Sequence, residues 1–301
     1  MTGLFFSLTV KARKAAALTA AAAAALVLAL HTWAPAVPAD APAAVSVPII
    51  MYHSVCPDDS QSCSYVISAA QFENDMKYLR ERGYTAVFVS QISDFVRSGA
   101  PLPEKPVAVT LDDGFYNSLS QVLPILEKYD MRATVSVVGA YAEKASGCAD
   151  KDPFYAYLSW DDIRALAASG RVEIGSHSWD MHRLGARRGC AKMPGESGEA
   201  YARALESDLG RLQSALKTSS GIAPAVFAYP YGLISPGSAD VLRNMGFAAA
   251  LGCEEKVNVL TGGEAQLYHL GRFNRPAGIS TEEFMQGLKF ERGYRAPPQR
   301  L

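Results

Sequence analysis

The 301-residue chain has no surplus of either charge: 29 Lys and Arg stand against 30 Asp and Glu, for a formal net charge of −1. It carries no basic stripe and no nucleic-acid motif, which argues against nucleic acid as a partner. Cysteine is scarce, with five in all, and no two are spaced C-x2-C, so a cysteine-ligated zinc site has no support. Histidine is equally scarce at five. No segment repeats. There is one long apolar run, Ala15 to Leu30. It is somewhat short of the roughly 20 residues that a comfortable membrane span needs. No Cys follows it closely, which argues against a lipoprotein anchor.

What is there begins with that run. Lys11, Arg13 and Lys14 precede it, and Ala34-Pro35-Ala36 and Ala39-Asp40-Ala41 follow it as A-x-A cleavage candidates. Residues 1–41 therefore read as a signal peptide with an Ala/Pro linker. Pro42 is unfavourable just after a cleavage site, so cleavage after Ala36, leaving Val37, is expected. The protein is then periplasmic or secreted, with an uncleaved anchor as the alternative. Residues 42–290 are enough for one large α/β domain with a full core, and residues 291–301, with Pro297-Pro298, read as a frayed tail. In an oxidising compartment Cys56 with Cys63, and Cys148 with Cys190, are plausible disulfide pairs, with Cys253 left over.

Short apolar runs alternate with helix-like segments along the whole of that region. Val47–Tyr52, Tyr84–Val89, Val107–Leu111, Ala133–Val138, Val172–Ser176, Ala225–Tyr229, Phe247–Leu251 and Leu267–Leu270 read as strands. Ser68 and Ser159 are positioned to cap helices. Tyr116 to Tyr129 reads as a helix with a kink at Pro124. Repeated βα units predict a parallel sheet with helices outside, doubly wound or closed as a barrel.

Two strand ends carry unusual chemistry. Val107–Leu111 runs into Asp112-Asp113-Gly114-Phe115, two adjacent carboxylates and a glycine. Two crowded carboxylates repel, and one pKa rises unless a cation intervenes. One Asp would then hold the ion while the other stays free to accept a proton. The bland alternative is a solvated Asp-Asp-Gly turn. The strand Val172–Ser176 runs into His177 and, five residues on, His182. On a helix such a pair lies about 140° apart, but a loop has no such limit. One Asp and two His is a common ligand set for a catalytic divalent metal with open positions. Trp179 and Tyr229 are as well suited to the core as to stacking on a ligand. His53, Asp112-Asp113, His177-His182, Tyr229-Pro230-Tyr231 and Arg272 all lie at or just past strand ends. Functional groups drawn from many strand ends favour a barrel, distorted and with seven or eight parallel strands.

Thr110-Leu111-Asp112-Asp113-Gly114, His177-Ser178-x3-His182 and Tyr229-Pro230-Tyr231-Gly232 resemble the successive motifs of the NodB-homology polysaccharide deacetylases, carbohydrate esterase family four. The opening Met51-Tyr52-His53-Ser54-Val55 and the wide His spacing resemble the branch of exported poly-N-acetylglucosamine deacetylases of biofilm systems. The resemblance covers about Val47 to Leu288. It implies a distorted (β/α) barrel and metal-dependent removal of acetyl groups from an N-acetylated polysaccharide. It implies Asp112 as the base and Asp113, His177 and His182 as ligands of one divalent ion, zinc first, with iron, cobalt or nickel compatible.

Further roles are expectations within that resemblance. The Tyr231 N–H would donate to the oxyanion, and His53 would protonate the leaving amine. The family's Arg two residues before the Pro of the third motif is Ala228 here, and Arg272 is expected to supply that charge from a later strand. Leu267-Tyr268-His269 has the letters of the usual late motif, but Leu270-Gly271-Arg272 fits its place better. The exopolysaccharide secretion machinery is an implied partner. Peptidoglycan or chitin oligomers are alternative substrates, and a non-catalytic carbohydrate-binding protein is the alternative class.

Overall fold

The structure, a computed structural model, describes residues 44–288. The expected signal segment lies outside those residues. Among the described residues the strands are β1 (Val45–Val47), β2 (Ile49–Tyr52), β3 (Ser54–Cys56), β4 (Val66–Ser68), β5 (Thr85–Ala86) and β6 (Pro106–Leu111). They continue with β7 (Ala133–Val137), β8 (Val172–Ser176), β9 (Val226–Ala228), β10 (Ala249–Leu251), β11 (Asn258–Leu260) and β12 (Phe273–Asn274). The helices are α1 (Ala69–Glu81), α2 (Val89–Ser98), α3 (Leu123–Lys128), α4 (Gly139–Ser146), α5 (Trp160–Ala168), α6 (Gly198–Ser220), α7 (Ser238–Asn244) and α8 (Thr281–Gly287).

Seven strands make one parallel sheet in the order β10-β9-β8-β7-β6-β2-β12, and β5 pairs with the start of β6. All six residues of β6 are buried, as a strand covered on both faces requires. Its side chains alternate: Val107, Val109 and Leu111 join one hydrophobic cluster, and Ala108 joins the other. Ser68 caps α1 by accepting from the Gln71 N–H, and Ser159 caps α5 in a reciprocal box with Asp162.

The sheet curls until one segment touches both of its edges. Leu270 donates to the Ala250 carbonyl at 3.1 Å and accepts from the Gly252 N–H at 2.8 Å, which binds it to β10. Three residues on, Phe273 pairs with Ile50, and the Arg275 N–H reaches the Met51 carbonyl at 3.0 Å, on β2. Residues 270–275 thus close a distorted (β/α) barrel of seven parallel strands.

Several local expectations change. Leu267 to Leu270 is not a strand: Glu264–Tyr268 forms a 3-10 turn whose Leu267 and Tyr268 are buried, and the strand starts only at Phe273. A short apolar run satisfies burial in either form. The Tyr116–Tyr129 helix opens with a π-turn, Ser118–Val122, and becomes α-helical at Leu123. Pro124 lacks an N–H and crowds the carbonyl four residues back, so it sits in the first turn of α3. The pairs β1 with β11 and β3 with β4 were not expected. All five cysteines are free thiols, so neither expected disulfide is present. Cys56 is buried at the end of β3 while Cys63 is exposed, and Cys190 is buried while Cys148 is exposed.

Candidate active site

The site is built where β6 and β8 stop. Asp112 makes the last rung of its strand, donating its N–H to the Tyr52 carbonyl at 3.1 Å. The chain then turns left-handed twice, at Asp113 (φ 72°) and Gly114 (φ 73°). Asp tolerates that conformation better than most side chains. At Gly114 a Cβ would come within 3.0 Å of Val137. The double turn sends the two neighbouring carboxylates to different partners.

Asp112 meets Arg272. The guanidinium forks onto it, Nη1 to Oδ1 and Nη2 to Oδ2, both at 2.8 Å, and its Nε donates to the Gly252 carbonyl at 2.8 Å. Both side chains are buried. Burial alone would raise the Asp112 pKa. The Arg272 charge, His177 and the two hydrogen bonds outweigh it and hold the carboxyl well below the usual carboxylate range. Arg272 is delivered by the barrel-closing segment. The Gly271 before it has no room for a side chain, since a Cβ would lie 2.5 Å from the Glu254 carbonyl. Asn258 of β11 brackets Gly271, accepting from its N–H at 2.8 Å and donating to its carbonyl at 2.9 Å.

Asp113 meets the two histidines. Its Oδ1 lies 3.1 Å from His182 Nε2 and 3.5 Å from His177 Nε2. His177 Nδ1 stands 2.8 Å from the Ala228 carbonyl. A carbonyl only accepts, so Nδ1 carries the proton and Nε2 presents a lone pair. The Tyr141 hydroxyl is 3.4 Å from His182 Nδ1. Burial pushes Asp113 up to about 6 and pulls His177 down to about 4, and it lowers His182 as well.

One ligand atom from each of the three residues lies within 4.8 Å of the others. Asp113 Oδ1 is buried without a hydrogen-bond partner, although two ring nitrogens face it. The His177 Nε2 lone pair against that oxygen is repulsive unless a cation sits between them. Donors around a tetrahedral zinc at about 2.0–2.1 Å stand about 3.3 Å apart, which matches the 3.1 and 3.5 Å found. The residues fit a divalent ion.

His53 follows β2 with its Nδ1 buried and unpartnered. Burial lowers its pKa, and the Asp112 and Asp113 charges act on it in the opposite direction. Its ring meets Tyr65 edge-on at 4.8 Å. Tyr231 occupies a left-handed position (φ 59°) in the turn Pro230–Gly232, and its ring stacks on His182 at 4.7 Å. Every strand-end residue singled out by sequence except His269 is gathered here or packed beside it; His269 is exposed in a turn. Trp179 and Tyr229 are core residues. Trp179 lies between Gly139 and Arg211, and the Tyr229 hydroxyl pairs with that of Ser238 at 2.9 Å. Tyr141 and Asn258 were missed. Tyr141 carries a weak signal, four residues past β7, and Asn258 carries none.

Fold and site together define a barrel protein whose chemistry sits at the C-terminal ends of its strands. The family model for polysaccharide deacetylases matches residues 99–250, and the chain belongs to that family. It is 28% identical over 218 residues to the poly-beta-1,6-N-acetyl-D-glucosamine N-deacetylase of Escherichia coli K12, covering 66% of this chain and 32% of the relative. The chain thus spans about a third of the length of that relative. A Staphylococcus aureus protein of the same name is 23% identical over 195 residues, 64% of this chain and 63% of the other. Among solved structures, IcaB from Ammonifex degensii superposes with a TM-score of 0.63 at 26% identity, covering 81% of this chain and 96% of that one. A de-N-acetylase from Aggregatibacter actinomycetemcomitans shares the fold, with a TM-score of 0.66 at 24% identity, covering 81% and 100%.

Proposed function

We propose that the protein hydrolyses N-acetyl groups on an N-acetylated polysaccharide, a β-1,6-linked poly-N-acetylglucosamine being the substrate that its relatives' names suggest. The observation that carries this reading is the division of work between two adjacent acids. Asp112 is ion-paired to Arg272, while Asp113 faces two neutral imidazoles. In this reading Asp113, His177 and His182 hold a divalent ion, zinc first, which when bound acidifies water and polarises the acetyl carbonyl.

The protein's own groups then have these tasks. Asp112 accepts a proton from the attacking water as its oxygen bonds to the acetyl carbon. Arg272 orients that carboxylate and keeps it ionised. The Tyr231 N–H donates to the carbonyl oxygen as charge develops on it. His53 delivers a proton to the nitrogen as the C–N bond breaks, giving acetate and a free amine. Burial favours the neutral resting form of the His53 imidazole, so the proton it delivers is the one that Asp112 took from water, and Asp112 is left ionised for the next turnover.

The N-terminal sequence supports export to the periplasm or beyond, and no helix among the described residues is long and apolar enough to cross a membrane. The test is acetate release from a panel of N-acetylated oligosaccharides, including β-1,6 and β-1,4 linkages. Chelation should abolish release and a divalent ion restore it. Full activity in metal-free protein overturns the reading, and preference for a β-1,4 glycan reassigns the substrate to chitin or peptidoglycan.

A further inference from the structure

The segment that joins His177 to His182 contains no helix or strand, and Ser178 within it is left-handed (φ 74°). Its backbone is nonetheless bonded group by group to other elements. The Ser178 and Trp179 carbonyls accept from the Gly139 and Ala140 N–H groups at the start of α4, at 3.0 and 2.8 Å. The Trp179 N–H donates to Asp208 Oδ1 at 2.7 Å, and the Asp180 N–H to Asp208 Oδ2 at 2.9 Å. The Met181 N–H donates to the Ser178 hydroxyl at 3.1 Å. Three successive amides are thus held by side chains, two of them by one carboxylate on α6. One turn along α6, Arg211 lies 3.9 Å over the Trp179 ring, so the helix grips residue 179 by backbone and by ring.

We propose that Asp208 is a positioning residue for the candidate metal site: by fixing the two amides between His177 and His182, it sets the separation of their ring nitrogens. The inference rests on the reading of Asp113, His177 and His182 as ligands. The two histidines depend on Asp208 unequally. His177 is anchored independently, its N–H on the Val137 carbonyl at 2.9 Å and its Nδ1 on the Ala228 carbonyl at 2.8 Å. The His182 ring faces Asp113 at 3.1 Å and the His177 ring at 4.8 Å, and is otherwise met by the Tyr141 hydroxyl at 3.4 Å and by the stacked Tyr231 ring. Loss of the Asp208 clamp leaves two N–H donors unpaired. The segment must then relax, and His182 moves with it.

The test uses the full chain, titrated with Zn²⁺ or Co²⁺ against a chromophoric chelator. Asp208→Asn keeps the size of the side chain but only one acceptor oxygen. It should weaken ion binding about 10–100-fold and shift the visible absorption of the cobalt-loaded protein. Asp208→Glu restores the carboxylate and should recover part of the affinity. Glu206→Gln, an exposed change on α6, should alter neither. A folded Asp208→Asn with parental affinity and an unshifted cobalt spectrum overturns the proposal, even if its melting temperature falls. If Asp208→Asn does not fold, Asp208→Glu carries the comparison. If the parent chain binds neither ion, the ligand reading fails by itself. Positioning is then decided by imidazole ¹⁵N shifts of the metal-free protein: the His182 signals must move in Asp208→Asn with His53 unmoved, and unmoved His182 signals overturn it.

Discussion

Asp112 and Asp113 are neighbours in sequence and opposites in electrostatics. One is held ionised by a buried guanidinium, the other driven toward its neutral form by burial. Substitutions should therefore separate them. Asp113→Ala should lower bound metal and rate together. Asp112→Asn should keep the metal and lose turnover about 10²–10⁴-fold, the range for a general base. Metal content and kcat measured side by side check this, and loss of metal in Asp112→Asn as complete as in Asp113→Ala contradicts it. Arg272→Ala leaves a buried carboxylate without its cation. It should destabilise the fold by about 3–5 kcal/mol in urea unfolding. The sign of its effect on pH dependence is also set. Without the guanidinium, burial raises the Asp112 pKa, so the carboxylate is lost at higher pH and the acid limb of the pH–rate profile moves upward.

At the scale of elements, the closing segment is the feature on which most depends. Asn258 of β11 supplies both hydrogen bonds to Gly271 and a third to the Val47 carbonyl at 3.2 Å. Asn258→Ala orphans buried backbone groups beside Arg272. It should cost about 1–3 kcal/mol and lower kcat more than it raises KM, as chemical unfolding and steady-state kinetics would register. This element was also the least legible in the sequence. β6 and β7 announce themselves as largely apolar segments of six and five residues, β8 by Val172 and Ile174 two apart, and Ser68 and Ser159 as caps. β1, β3, β4 and β11 are three residues each, too short to show a period. Leu267–Leu270 is apolar because it plugs the core from a turn, which the composition of a four-residue run does not distinguish from a strand. The site followed the same rule. The acids and histidines could be read because each stands at the end of a legible strand. Arg272 was legible only as the charge that Ala228 lacks, since its carboxylate partner is 160 residues away. Asp208 had no local signal, since its partners lie 28 and 29 residues back on another element.

For the molecule as a whole, an ion bound only by the folded chain stabilises it by mass action. At a hundredfold excess over Kd the gain is about 2.7 kcal/mol, or a rise in Tm of roughly 5–10 °C for a chain of this size. Differential scanning calorimetry with and without chelator measures it. The rise should shrink as pH falls below about 6, because Asp113 then holds a proton that competes with the ion. The closing segment carries a second buried arginine, Arg275, whose guanidinium bonds Asp75 at 2.8 and 3.1 Å, and Asp75 also takes the Tyr52 hydroxyl at 3.0 Å. Both buried acids therefore wait for cations that lie 160 and 200 residues downstream. A nascent chain, read from its N-terminus, holds the two acids long before either arginine has been synthesised. Until then neither acid can be buried at acceptable energy. Closing the barrel around both acids therefore requires the last tenth of the chain. A chain cut short before Arg272 thus holds every candidate metal ligand and still lacks both of the cations around which the barrel closes.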